Sequence, residues 1–464
     1  MSAQSGKCES SDVCDVVGVG FGPANLALAI AIHEHNEKLT HPAARLKAMF
    51  VEGQPRFGWH RGMLLEGTTM QVSFLKDLAT MRNPATEFSF LNYLKAKNRL
   101  IDFINRKQFF PSRIEFHDYL EWAATSFSSS VLYGARVDAV RLIESASGMR
   151  THDAFEVTAE CESGVDPSRR VIVARNVVLG LGLEPSLPAG TRLSANVIHT
   201  QDLLRMAREL PQGMRGRFIV VGAGQSAAEA TQYLHRRFAN AEICAVFSRF
   251  GYSPSDDSPF ANRIFDPQSV DELYHARPEV REKLAAYHRN TNYSVVDIEL
   301  IQELYDISYQ ELVTRHARLK LHRASCIATY CETDRGLTVS IRNLSTGSET
   351  SLEADKLIFA TGYCPRSPLS LLGDLDKRCR KDEAGRYVVH RDYRLELDGA
   401  PLAGLYLQGN TEHSHGITSS LLSNLPIRTE EILQSILARR APTLDFVHPP
   451  VSVRAEEGAR HAAS

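Results

Sequence analysis

The chain has 464 residues, 43% of them hydrophobic and 23% charged, with a formal net charge of -2 at pH 7. That length exceeds the size at which one hydrophobic core stops growing, so two or three domains are expected. The near-neutral charge gives no footprint for nucleic acid, no apolar run approaches the roughly 20 residues that span a bilayer, and the polar start Met1 to Asp12 has no signal-peptide core, which predicts a cytoplasmic protein without nucleic-acid or membrane partners.

The predicted elements begin with a strand at Asp15–Val19, a turn through Gly20-Phe21-Gly22-Pro23 and an alanine-rich helix from Ala24 to Ile32. The next strand, Ala48–Val51, ends at Glu52. A loop-rich stretch from Gly53 to Pro84 follows, then mixed helices to about Phe127 and alternating strands near 131–141, 155–160 and 171–179. The opening pattern then recurs: a strand at Phe218–Val221, a turn at Gly222-Ala223-Gly224, a helix from Gln225 to Phe238, and a strand Ile243–Phe247 ending at Ser248-Arg249. Residues 253–315 open on a turn-rich run and continue in a helical pattern without strands, which reads as a helical insertion. Alternation returns at 318–343 and 355–359, and the tail beyond Pro442 has a frayed character.

A strand, a tight glycine turn and a helix N-terminus together present backbone N–H groups and the positive end of a helix dipole to a phosphate. The residue that ends the second strand of such a unit meets the adenosine ribose, where a carboxylate suits the free hydroxyls and a cation suits a 2′-phosphate. Glu52 therefore fits FAD or NAD, and Arg249 fits NADPH. Taken singly, either could be an ordinary strand-end charge. Two units with opposite signs in this order predict FAD first and NADPH second, on an α/β fold of two Rossmann-like domains. The third glycine of the fingerprint is replaced by Pro23 in one copy and Ala227 in the other, and Glu52 lies farther from its glycines than the usual spacing of about 20 residues. The eight cysteines form no Cys-x-x-Cys pair, which argues against a disulfide framework, a zinc site or a dithiol redox centre. His413 and His415 lack a completing ligand set, so no metal is expected.

Six strings carry a more specific signal: Gly18 to Asn25 (GVGFGPAN), Met70 to Thr80 (MQVSFLKDLAT), Gly222 to Glu229 (GAGQSAAE), Asp256 to Asn262 (DDSPFAN), Thr291 to Val296 (TNYSVV) and Asp355 to Tyr363 (DKLIFATGY). In that order, across residues 14 to 435, the chain resembles the microbial N-hydroxylating flavin monooxygenases of siderophore biosynthesis, and within that lysine N6-hydroxylase/ornithine N5-oxygenase family it is most similar to the members acting on ornithine. The linker reads Leu193-Ser-Ala-Asn-Val-Ile-His199, without the Phe-x-Gly-x-x-x-His of the flavin-containing and Baeyer–Villiger cousins.

The resemblance implies FAD, NADPH and O2 as co-substrate, no protein nucleophile, and hydroxylation of the side-chain amine of L-ornithine through a flavin C4a-hydroperoxide. It implies a homo-oligomer, dimer or tetramer. It assigns Gly18, Gly20, Gly22, Pro23, Glu52, Trp59, His60, Gln71, Val137, Ser420, Leu421 and Leu422 to FAD, and Gly222, Gly224, Gln225, Ser226, Arg249, Asn292, Tyr293 and Ser294 to NADPH. Lys76, Asn262, Phe265, Asn292 and Ser423 would hold the substrate. Without the family, Lys76 reads as half of a surface ion pair with Asp77, Asn262 as a turn or cap residue, and Asn292 as a turn residue. The domain reading is 12–205 plus 355–440 for FAD, 206–252 plus 316–354 for NADPH, 253–315 for a substrate-binding insertion, and flexible termini at 1–11 and 443–464. The alternatives are an N-hydroxylase of L-lysine or of a diamine such as putrescine or cadaverine, a pyridine-nucleotide disulfide reductase, and a non-catalytic FAD/NADPH sensor.

Overall fold

The computed structural model describes residues 13–143, 153–161, 168–334 and 336–440, and the side chains of Asn290 and Asn292 fall outside that description. The termini expected to be flexible, 1–11 and 443–464, lie outside the described residues. In chain order the first elements are strand β1 (Cys14–Val19), helix α1 (Pro23–Glu37), β2 (Ala48–Glu52), α2 (Phe90–Ala96), α3 (Leu100–Asn105), α4 (Arg113–Thr125), β3 (Val131–Tyr133), β4 (Ala135–Ile143), β5 (Ala154–Cys161) and β6 (Ser168–Leu179). A crossing through β7 (Leu183–Pro185), β8 (Val197–His199) and α5 (Leu203–Glu209) leads to β9 (Arg217–Val221), α6 (Gln225–Arg237) and β10 (Glu242–Val246). Helices α7 (Pro267–His275), α8 (Pro278–Tyr287), α9 (Arg289–Asn292) and α10 (Ile298–Thr314) precede β11 (Leu319–His322), β12 (Ser325–Thr333), β13 (Gly336–Asn343), β14 (Glu349–Ala354), β15 (Lys356–Phe359) and β16 (Tyr363–Pro365). The last described elements are α11 (Leu369–Leu372), β17 (Gly404–Leu407), α12 (Glu412–His415) and α13 (Leu425–Ala438).

The fold is α/β, built on two nucleotide-type sheets, the first with a parallel part (β3, β2, β1, β6, β17) extended by the antiparallel strands β5 and β4 and the second parallel throughout. The first runs β3-β2-β1-β6-β5-β4, and β6 divides its far edge between β5 along its first half and β17 along its second. The second runs β11-β10-β9-β15-β8, every pairing parallel. Central strands such as β1 (Cys-Asp-Val-Val-Gly-Val) are buried along their whole length, as expected where both sheet faces are covered. Helix α1 is buried from Leu26 through Ile32, because the first sheet lies on one side and α4 and α13 on the other. It continues past the predicted end at Ile32 to Glu37, since His33–Glu37 contain no helix breaker, and this extra length accounts for the long interval from the glycine turn to Glu52.

Three expected domain boundaries are corrected. Residues 197–205 and 355–359 were assigned to the first unit, yet β15 pairs with β9 and β8 in the second sheet, and α5 joins the second core through Leu203, Met206 and Ala207. Strand periodicity identifies a strand but not the sheet it joins. Helix α10, expected within the insertion, packs Leu300 and Leu304 into that same core and connects β10 to β11, a crossover that a parallel pair requires. The segment read as 318–343 resolves into β11, β12 and β13, and β14, which adds an antiparallel partner to β13, was not predicted.

Candidate active site

Both glycine turns open onto one cleft of about 3240 Å³, which is also lined by the strand ends Glu52 and Arg249. A pocket for one small ligand occupies roughly 300–1,000 Å³, so this cleft has room for two dinucleotides and a substrate. In the first turn Gly20 has φ +81°, and a Cβ there would fall well inside contact distance of the Gly180 carbonyl. In the second, Gly222 has φ +143°, and a Cβ would press on the Ala360 carbonyl. Each turn thus needs glycine for its backbone conformation and for the close approach of the neighbouring strand end. Gly22 and Gly224 are the N-caps of α1 and α6, neither helix has a side-chain cap, and Pro23 occupies the first turn of α1, where its missing N–H costs nothing. Gly22, Pro23, Gln225 and Ser226 also line the cleft. Gly18 does not. It lies buried within β1, where a Cβ would collide with the Phe50 ring, so its glycine makes room for that ring.

The Glu52 carboxylate accepts from the backbone N–H of Phe21 at 2.6 Å and of Gln54 at 2.8 Å, which fixes it at the mouth of the first turn. Arg249 follows β10 and donates through Nη1 to the Ser294 carbonyl at 2.9 Å, joining the second strand end to the segment before α10. Ser294 has φ +59°, and it lies against Gly224 closely enough that a Cβ on that glycine would meet its backbone at 3.4 Å. Val137 lines the cleft beside a bulge in the β4–β5 pairing between Val137 and Ala139, an irregularity that redirects a strand next to a site. Trp59, His60, Ser420, Leu421 and Leu422 line the same cleft; the Trp59 N–H donates to Nε2 of His117 at 3.3 Å, and His60 has φ +46°.

Of the expected substrate residues, Lys76, Asn262, Phe265 and Ser423 line the cleft. Asn292 ends α9, and its side chain lies outside the described structure. The surface pair of Lys76 with Asp77 does not form. Asp77 is 3% exposed and accepts from the N–H groups of Ala79, Thr80 and Phe90 and from the Thr80 hydroxyl, so its charge is used inside the loop. Lys76, with no ion-pair partner among the described residues, is left with its charge available to the cleft. Asn262 sits in a 3-10 turn, Ala261–Phe265, and donates its amide to the Asp257 carbonyl at 2.9 Å. Asn424 donates to the Phe265 carbonyl at 3.0 Å and ties that turn to the one carrying Ser423. Tyr293 donates its hydroxyl to Glu412, which also accepts from Ser420 at 2.6 Å; burial first, and then this carboxylate, push the phenol above its ordinary range.

Sequence reading missed a polar chain across the cleft between the two units. Gln71 donates to Asp297 at 2.9 Å, Gln225 donates to Asp297 at 2.8 Å and to Glu229 at 3.0 Å, and the Arg113 guanidinium holds Glu229 in two bonds of 2.8 Å. Burial raises the Asp297 carboxyl against the opposing effect of its amide donors, with Glu229 adding repulsion. Gln71, Gln225 and Glu229 stand in the quoted strings, but only folding brings them together. His413 and His415 each donate a ring Nε2–H to a backbone carbonyl, of Tyr387 and Arg391 respectively, instead of converging on an ion, and no His/Cys/Asp/Glu cluster suited to a metal occurs among the described residues. Cys161, Cys244, Cys326, Cys331, Cys364 and Cys379 are free thiols.

Several buried polar atoms near the end of the cleft formed by residues 408–428 have no partner among the described residues: Gln408 Oε1, Ser419 Oγ, Asn424 Oδ1 and Arg428 Nε. Such atoms cost stability unless a bound group satisfies them. Together with two uncapped helix N-termini they fit a cleft that holds polar cofactors.

The chain matches the family model described as L-lysine 6-monooxygenase/L-ornithine 5-monooxygenase over residues 12–365. It is 38% identical to an L-ornithine N(5)-monooxygenase of Burkholderia cepacia, covering 93% of this chain and 96% of that one. It is 37% identical to an L-ornithine N(5)-monooxygenase of Arthroderma benhamiae over 91% and 88% of the two chains. Among solved structures, the ornithine N-hydroxylase of Kutzneria sp. 744, described with reduced FAD, NADP+ and L-Orn, superposes with a TM-score of 0.86 at 42% identity, over 93% of this chain and 100% of that one.

Proposed function

The chain belongs to the L-lysine 6-monooxygenase/L-ornithine 5-monooxygenase family, and from that premise we propose that it uses FAD, NADPH and O2 to hydroxylate the side-chain nitrogen of L-ornithine, giving N5-hydroxy-L-ornithine for hydroxamate siderophores. The observation that carries the reading is the single cleft bearing two glycine turns, one ending in a carboxylate and the other in an arginine. The chemistry supplied by bound FAD is acceptance of a hydride from NADPH and delivery of one atom of O2 to the amine, the other atom leaving as water.

In this reading the protein binds, orients and excludes water. Glu52 accepts from the ribose hydroxyls of FAD, and the N-termini of α1 and α6 take the two diphosphates. Arg249 takes the 2′-phosphate, supported by Tyr293 and Ser294 on the neighbouring segment. Lys76 receives the α-carboxylate of ornithine, with Asn262, Asn292 and Ser423 as its polar neighbours and Phe265 as the apolar wall. Anchoring that end fixes how far the side-chain nitrogen reaches. The nitrogen must be neutral to react, and a site closed to water disfavours its charged form.

A lysine substrate has less support, since the relatives at 34–38% identity are named for ornithine. A diamine would leave Lys76 without the carboxylate it is free to bind. No described helix is long and apolar enough to cross a membrane. We read the protein as cytoplasmic, in keeping with the free thiols of Cys161, Cys244, Cys326, Cys331, Cys364 and Cys379, and as a homo-oligomer, for which the exposed Tyr305, Tyr309 and Leu312 of α10 offer apolar surface. Sedimentation as a monomer at micromolar concentration would remove the oligomer.

The test is to reduce the FAD-loaded protein with NADPH without air, then add O2 with and without L-ornithine while following flavin absorbance. The reading expects ornithine to hasten the return of oxidised flavin and to be consumed in step. Return at the same rate in both arms, with ornithine recovered intact, would overturn it.

A further inference from the structure

Arg428 stands on the first turn of α13 and is 4% exposed, yet it lines the cleft. Its Nη1 donates to the Ser419 carbonyl, and its Nε–H has no partner among the described residues. No described carboxylate lies within ion-pair distance. Its neighbour Glu431, on the same helix, is occupied by Arg391 through two bonds of 2.8 Å. Arg82 and Arg99, which also have an unpartnered buried Nε, hold carboxylates, Glu34 at 2.7 Å and Asp118 at 3.0 Å; Arg439, like Arg428, donates only to backbone carbonyls among the described residues, but it does not line the cleft. A guanidinium does not shed its proton, so burial, which lowers its affinity for that proton, leaves a charge in need of an acceptor.

Beyond the Ser419 carbonyl the described residues offer it no acceptor and no carboxylate, and the open side of the residue is the cleft. Of the groups that could enter, the FAD and NADPH diphosphates belong to the turns at Gly20–Pro23 and Gly222–Gln225, the 2′-phosphate to Arg249 and the ornithine carboxylate to Lys76. The remaining acceptor-rich edge is the pyrimidine part of the flavin ring, whose N1 and C2 carbonyl region carries negative charge once the ring is reduced. We propose that Arg428 is a flavin-binding residue that holds this edge and offsets the charge gained on reduction, an inference that rests on the FAD reading of the cleft. A hydride brings two electrons and one proton, so a bound flavin that kept the proton at N5 would carry the negative charge at N1, which the Arg428 guanidinium would offset. The partial positive charge at the N-terminus of α13 acts in the same direction.

The test is the midpoint potential of bound FAD, measured spectroelectrochemically between pH 6 and pH 8 in the wild-type holoprotein and in Arg428→Gln and Arg428→Lys, with FAD content and melting temperature recorded for each. Uptake of one proton per two electrons gives the wild type a slope of about 30 mV per pH unit. Arg428→Gln is expected to lose about tenfold in its preference for the reduced state, a fall of about 30 mV at pH 7, and Arg428→Lys to regain most of it. Twice that slope in the wild type, or an unchanged potential in an Arg428→Gln protein that retains FAD, would overturn the proposal. If Arg428→Gln does not fold, the wild-type slope and the Arg428→Lys potential still decide. A well-folded wild type that takes up no FAD would overturn the reading of the cleft itself.

Discussion

Lys76 is a cation at the edge of a large cleft whose neighbouring carboxylate is already committed to three backbone N–H groups and a hydroxyl. A charged hydrogen bond is worth about 1.5–3 kcal/mol, so Lys76→Ala is expected to raise the KM for ornithine about 10- to 100-fold while NADPH oxidation without substrate stays near its wild-type rate. Unchanged ornithine saturation would exclude Lys76 as the anchor. By the same arithmetic, Arg249→Ala should raise the KM for NADPH about tenfold or more and leave NADH almost untouched; equal losses with both coenzymes would move the 2′-phosphate contact elsewhere. That both residues line the cleft was legible in the chain, Lys76 from the distinctive string around it and Arg249 from its place at a strand end. Gly18, expected at FAD, lies off the cleft, because the fingerprint does not separate a glycine that lines a site from one that makes room for a ring, here Phe50. Arg428 left no sequence signal at all, since its isolation depends on the tertiary placement of Ser419, Arg391 and Glu431.

At the scale of elements, the two strand-turn-helix units are separable by mutation. Gly20→Ala and Gly222→Ala each force a side chain into a left-handed conformation against a neighbouring carbonyl, at a cost of about 1–3 kcal/mol or more. The first is expected to lower FAD content after purification. The second should leave FAD bound but slow flavin reduction by NADPH, read by stopped-flow absorbance. The reverse pattern would exchange the two cofactor assignments. Both units were readable from the alternation of strand, glycine turn and helix, and Glu52 and Arg249 from their places at strand ends. What the pattern could not convey is sheet membership. β8 and β15 are three and four residues long, and each joins the second sheet only because the chain crosses back between the units there. Helix α10 looked like part of an insertion because its periodicity is the same whichever core receives Leu300 and Leu304.

For the molecule as a whole, the two units are interlocked. Met63 and Leu65, from the long loop of the first unit, are buried in the core of the second, and a Cβ on Gly62 would collide with the Gln201 backbone. Arg113 and Glu229 add an ion pair between α4 and α6, only 14% and 3% exposed. Breaking such a pair costs about 3–5 kcal/mol, so Arg113→Ala should lower the melting temperature of one common transition and not split it in two; two resolved calorimetric transitions in the wild type would contradict the interlock. Acid acts through buried imidazoles. Burial depresses His415 to about 3, and its ring stacks on Tyr393 with centroids 4.2 Å apart. A pKa lower in the folded state than in the unfolded one gives stability that is complete above about 6.5 and lost as the pH falls from there toward 3. The melting temperature of His415→Gln is therefore expected to fall less steeply over that window than that of the wild type; parallel profiles would remove His415 from the account. The most direct test of the central claim is product analysis by mass spectrometry, with NADPH consumption followed in parallel, on the FAD-loaded protein given L-ornithine, L-lysine or putrescine. The account expects L-ornithine to gain one oxygen on its side-chain nitrogen in near-equal proportion to NADPH consumed, with far less product from the other two. NADPH consumption that yields only hydrogen peroxide with all three amines would contradict it.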